Sequence, residues 1–84
     1  MNEIKYVVLS PNGDRLHEET HFNMGFAEKN QRAINIAHEF ITLDNNDVKV
    51  VVQETLEGDS SFCSVYSLGQ DGYLHHRTYA NYPF

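Results

Sequence analysis

The heptapeptide Asp47-Val48-Lys49-Val50-Val51-Val52-Gln53 places β-branched apolar residues at successive positions. A strand with one wet face alternates apolar with polar residues. A run that is apolar at neighbouring positions needs cover on both sides, which is how an internal strand reads. Tyr6-Val7-Val8-Leu9 has the same character, within a strand expected over Ile4 to Ser10. Two such strands demand a sheet in which others flank them.

The flanking strands can be read from their turns. Pro11-Asn12-Gly13-Asp14 combines a proline, which presets φ, with Asn-Gly, which accepts positive φ. Arg15 to Phe22 then returns as the second arm of a hairpin, with Leu16, Glu18, Thr20 and Phe22 alternating with Arg15, His17, Glu19 and His21. The second set is wholly polar, so an edge strand with a wet face is expected. After the central strand, Glu57-Gly58-Asp59-Ser60 predicts a turn into a strand over Phe62 to Leu68. Gly69-Gln70-Asp71-Gly72 predicts another, into a last strand over Tyr73 to Ala80.

Between hairpin and central strand the period changes. Asn23-Met24-Gly25 breaks the alternation, and from Gly25 to Leu43 the pattern is helical. Phe26, Ala33, Ile34, Ile36, Ala37, Phe40 and Ile41 occupy one half of the wheel, and Glu28, Gln31, Arg32, Asn35, Glu39 and Thr42 the other. Gly25 is the expected N-cap, with Glu28 at N3. Asp44-Asn45-Asn46-Asp47 supplies asparagines for a left-handed C-cap. Ile34, Ala37, Phe40 and Ile41 are expected to be buried against Val50, Val52 and the first strand.

The element order is β-β-α-β-β-β, an α+β domain over residues 1–84. A right-handed crossover passing over the first strand sets the central strand beside it. The predicted sheet is five-stranded and antiparallel, in order 2-1-3-4-5, with one helix on one face. This order puts the two most apolar strands inside and the two histidine-bearing polar strands at the edges. One helix cannot cover both faces of five strands, so the other face should be wet, curled on itself or covered by a partner.

Composition narrows function mainly by exclusion. With 84 residues, the chain buries roughly 60–65% of its unfolded surface. Six Lys and Arg against twelve Asp and Glu give a net charge of −6, which opposes nonspecific binding to nucleic acid or anionic membrane. No apolar run approaches the roughly 20 residues of a membrane span. Cys63 is the single cysteine, so no internal disulfide or cysteine-based zinc site can form. Small secreted domains usually carry bridges, which makes the cytoplasm the expected compartment.

His17 and His21 flank Glu19 on one strand face, but four residues of strand separate them by about 13 Å, too far to share a metal. His75 and His76 point to opposite faces. Solvated edge-strand histidines are the simpler reading, and neither a metal site nor a cofactor is expected. Cys63 sits mid-strand in Phe-Cys-Ser-Val, where a small buried residue is more usual than a nucleophile. Glu18 and Glu19 face opposite ways and do not form an acid–base pair.

The C-terminal strand and tail hold the most suggestive cluster. Tyr66, Tyr73, Tyr79, Tyr82 and Phe84 lie within nineteen residues, among His75, His76 and Arg77. Such side chains combine large area with a polar handle and suit a protein interface. Stacking of nucleic-acid bases would need more than Lys49 and Arg77 as basic neighbours. The expected partner-binding residues are therefore Tyr73, His75, Arg77, Tyr79, Tyr82 and Phe84, and the expected partner is another protein. The competing explanation is that the tail seals the protein's own sheet. A homodimer through an edge strand or the open face is also expected.

In size, acidity and single-domain format the chain resembles the small proteins that phages encode against host defence machinery, anti-CRISPR proteins among them. The resemblance is one of format and carries over no functional residue. It implies a non-enzymatic protein-binding module or inhibitor. The carboxylates are dispersed rather than set in rows, so imitation of DNA is not indicated. The alternative is a small enzyme or ligand-binding subunit using the His and Tyr residues of the sheet.

Overall fold

The computed structural model describes residues 2–42, 44–45, 47–55 and 61–79. Its elements are β1 (Glu3–Leu9), β2 (Arg15–Phe22), α1 (Phe26–Phe40), β3 (Lys49–Thr55), β4 (Ser61–Leu68) and β5 (Leu74–Tyr79). The strands form one antiparallel sheet in the order β2-β1-β3-β4-β5, with α1 packed on one face. This is the α+β arrangement expected from the sequence. The expected turn at 57–60, the end of the last strand at Ala80 and the tail from Asn81 to Phe84 lie outside the described residues. Among those described, no helix is long and apolar enough to cross a membrane.

The turns follow their residue types. Gly13 (φ 88°) and Gly72 (φ 82°) supply the left-handed positions of the β1–β2 and β4–β5 connections. In the first, Ser10 N–H donates to the Asp14 carbonyl (2.9 Å) and Gly13 N–H to the Ser10 carbonyl (2.9 Å). β3 begins at Lys49, two residues later than expected, and runs on to Thr55. Its pairing with β1 continues through Glu54 and Thr55, opposite Ile4 and Glu3.

Gly25 is the N-cap of α1, as expected. The other end differs. The helix stops at Phe40, and the C-cap is Ile41 in an extended conformation (φ −91°, ψ 107°), its N–H donating to the Ala37 carbonyl. Asn45 N–H then bonds to the Thr42 carbonyl (3.1 Å) and hydroxyl (3.2 Å). A hydroxyl-closed turn therefore takes the place of the left-handed asparagine cap. The non-glycine residue with positive φ among those described is Asn23 (60°), at the entry to the helix.

The helix sits on its small residues. Ala33, Ile36 and Ala37 are buried, facing Ile4, Tyr6 and Val8 of β1, Val50 and Val52 of β3, and Tyr66 of β4. Two alanines let the backbone approach the sheet closely, and Ile36 fills the space between. Of the four helix residues expected in the core, Ala37 is buried, Phe40 and Ile41 are partly buried against it, and Ile34 is half-exposed. A rotation of the contact line toward Ala33 and Ile36 accounts for the difference.

The opposite face has its own apolar centre: Val7, Val51, Cys63 and Val65 are buried, with Leu9 packed against them. The middle of this face is thus closed within the chain, although α1 lies on the other side. Toward β5 the same face stays exposed, with His75, Arg77 and Tyr79 on it.

Candidate functional site

The two edge strands carry the titratable residues that stood out in the sequence. On β2 the expected orientation is reversed. Register pairs His21 with Ile4, Glu19 with Tyr6 and His17 with Val8, so the polar row lies on the helix side of the sheet. The apolar members of the other row are exposed, Leu16 at 51% and Phe22 at 59%.

The polar row is half-buried because α1 provides its partner. Arg32 donates Nε–H and a terminal N–H to the two oxygens of Glu19 (2.9 and 2.6 Å), a two-pronged pair joining helix to edge strand. His17 Nε2 donates to the same carboxylate at 2.7 Å, and His21 Nε2 bonds to its other oxygen. An ionised carboxylate only accepts, so both imidazoles carry their hydrogen on Nε2. Arg32 above all, then His17 and His21, hold the Glu19 carboxyl well below the usual carboxylate range despite burial. The His17 ring packs 5.2 Å from Phe40, and His21 meets Tyr6 edge-on. Beside them the Tyr6 hydroxyl donates to the Lys29 carbonyl (2.9 Å), and burial, aided by Glu19, pushes its pKa up to about 12. These histidines are structural members of a network, not solvated bystanders. Arg32 occupies the carboxylate, so the arrangement is an ion pair. Among the described residues no group of three or more His, Cys, Asp or Glu is placed to hold a metal ion.

β5 is arranged differently. Its pairing with β4 sets Tyr79 opposite Cys63, Arg77 opposite Val65 and His75 opposite Ser67. These three expected residues therefore share the face that α1 does not cover. Tyr73 precedes the strand and is 72% exposed, while Tyr82 and Phe84 lie outside the described residues. His76 turns the other way and stacks on Tyr66, centroids 5.1 Å apart.

The turn before β5 orients His75. Gly69 N–H donates to the Tyr73 carbonyl (2.8 Å), and Tyr73 N–H donates to the Asp71 carboxylate (3.0 Å). His75 Nε2 lies 3.0 Å from both oxygens of Asp71. The His75 bond, then that of Tyr73, lowers the Asp71 pKa. The ring rests over Gly69, where a Cβ would come within 2.4 Å of its Cδ2.

His75, Arg77 and Tyr79 border a concavity of about 410 Å³ that also includes Val65, Ser67 and Lys49. Lys49 was not among the expected site residues. It comes from β3, two strands away, and only the register of three strands brings it to the same concavity as Arg77.

A second concavity, about 570 Å³, lies on the helix side between α1 and β4–β5. Phe26 (77% exposed) and Phe62 (48%) stand at it with Ile34, Tyr66 and His76. Lys29 bonds to Glu54 at 2.7 Å, and Asn2 Nδ2 donates to the same carboxylate at 2.8 Å. Burial opposes the Glu54 charge, but these two donors outweigh it and lower its pKa. Burial alone raises the Tyr66 pKa.

Cys63 is 2% exposed, on the face opposite His76, and burial pushes its thiol up, away from the thiolate a nucleophile requires. No protein-family model, curated protein or solved structure matches this chain.

Proposed function

We propose that this protein is a small non-enzymatic binding module that takes an extended segment of another protein along β5. The observation that carries this reading is the exposure of every residue from His75 to Tyr79 in a strand at the end of the sheet order. An edge strand offers backbone donors and acceptors to an incoming strand, and alternate side chains grip it from either face. Tyr and Arg at such positions are the types that contribute most when buried by a partner. Inhibition follows if the bound segment belongs to the partner's working surface, in keeping with the phage-inhibitor format. An unpaired, buried cysteine suits a reducing compartment such as the cytoplasm.

The test is selection of a displayed library of extended peptides on the full chain. Recovered peptides should lose binding to an Arg77→Ala/Tyr79→Ala variant and keep it with Phe22→Ala, on the other edge. Peptides indifferent to the β5 changes would overturn the reading.

A further inference from the structure

The six Lys and Arg side chains divide into two groups. Lys5 and Arg15 are paired with Glu18 (3.5 and 2.9 Å), Lys29 with Glu54 (2.7 Å) and Arg32 with Glu19 (2.6 Å). Lys49 and Arg77 have no carboxylate partner among the described residues, although acids outnumber bases two to one in the chain. Both are exposed, and both line the concavity on the open face of β4 and β5. The acid nearest to it in the β4–β5 turn, Asp71, is engaged by His75 and the Tyr73 N–H.

We infer that this concavity receives a carboxylate side chain of an extended, acidic partner segment, with Lys49 and Arg77 as the receiving cations; this rests on the β5-edge reading above. A segment paired to β5 places every second side chain over this face, at intervals of roughly 6.5–7 Å. An acidic residue there meets Arg77 first, with Lys49 further along the same concavity. Two cations on a chain of net charge −6 are too few to track a nucleic-acid backbone, but they match one or two carboxylates. A second copy of the chain fits less well. Symmetric antiparallel pairing of β5 with itself, centred on Arg77, sets the two Arg77 side chains opposite each other, and directly opposed like charges repel.

The experiment is an NMR titration of the isotopically labelled full chain. The probes are a capped octapeptide of alternating Glu and Val, its Gln-Val counterpart, and a single-stranded oligothymidine. The Glu-Val peptide should shift the amides of β5 and Lys49. The Gln-Val peptide should bind about tenfold more weakly, the equivalent of one charge-assisted hydrogen bond. Lys49→Ala/Arg77→Ala should erase the difference between the peptides, as should high salt. Equal binding of both peptides at β5 overturns the acidic preference and leaves the edge reading standing. Binding of neither at β5 overturns both. Tighter binding of the oligothymidine at the same residues, or shifts that follow protein concentration alone, also overturns the inference.

Discussion

β2 carries His17, Glu19 and His21 at alternate positions; β5 carries His75, Arg77 and Tyr79 in the same alternation. Both strands are edges of the same sheet. On β2 the row turns under the helix, where Arg32 and the two histidines share one carboxylate. On β5 the row faces away from the helix, and its cation has no carboxylate partner among the described residues. Edge-strand composition therefore does not assign a role. The deciding factor is which side of the strand the helix occupies, and whether the helix presents a matching charge there. A polar row against a helix must be satisfied within the fold, since unpaired buried charges are costly. A polar row facing solvent carries no such requirement.

The comparison can be broken at its foundation first. Ile36 seats the helix that turns the β2 row inward. Ile36→Ala should cost about 2–5 kcal/mol by urea denaturation, a large part of the stability of a domain this size. Phe40→Ala, a larger deletion at a partly exposed site, should cost less than a buried Phe normally would.

Next comes Glu19 itself. Glu19→Gln should cost about 1.5–3 kcal/mol, because charge-assisted bonds from Arg32 and two histidines are weakened together. The folded-state pKa of Glu19 is depressed, so its contribution is full above the unfolded-state value, near 4.5. It is then lost as pH falls toward the folded value. Urea titrations from pH 7 down to pH 3 should show this decline in the natural chain and a shallower one in Glu19→Gln.

A smaller effect sharpens the same side of the comparison. Tyr6→Phe should cost about 0.5–1.5 kcal/mol through loss of the bond to the Lys29 carbonyl. The raised Tyr6 pKa has the opposite pH sign to that of Glu19. Its contribution is present below pH 10 and lost as pH rises toward about 12. A stability decline over that range, reduced in Tyr6→Phe, is the check.

The smallest effect is expected on β5. Arg77→Ala and Lys49→Ala should each change stability by no more than about 0.5 kcal/mol, as substitutions at exposed positions usually do. If Arg77→Ala costs as much as Glu19→Gln in the same urea assay, the two edges are alike and the contrast drawn between them fails.

Much of this arrangement is legible from residue order alone. Consecutive valines mark β3 and the Tyr6–Leu9 run marks β1 as internal; Asn12-Gly13 and Gly69-Gly72 close the hairpins; Gly25 caps the helix. These are local properties, set by φ preference and by the number of faces a strand must cover. Alternation also tells which residues of β2 and of β5 share a face. It does not tell which face the helix takes, because period two is unchanged when the strand is turned over. For β2 the polarity of the row suggests solvent, and the structure places it against the helix. The cue in the sequence was Arg32, an opposite charge on α1 able to satisfy Glu19, but its reach depends on helix rotation. That rotation selects Ile36 over Ile34, and only packing on β1 and β3 decides it. The presence of Lys49 and Arg77 at one concavity depends likewise on the register of β3, β4 and β5 together. A slip of one residue in either pairing would carry one of the two cations to the opposite face, since neighbouring side chains on a strand point opposite ways.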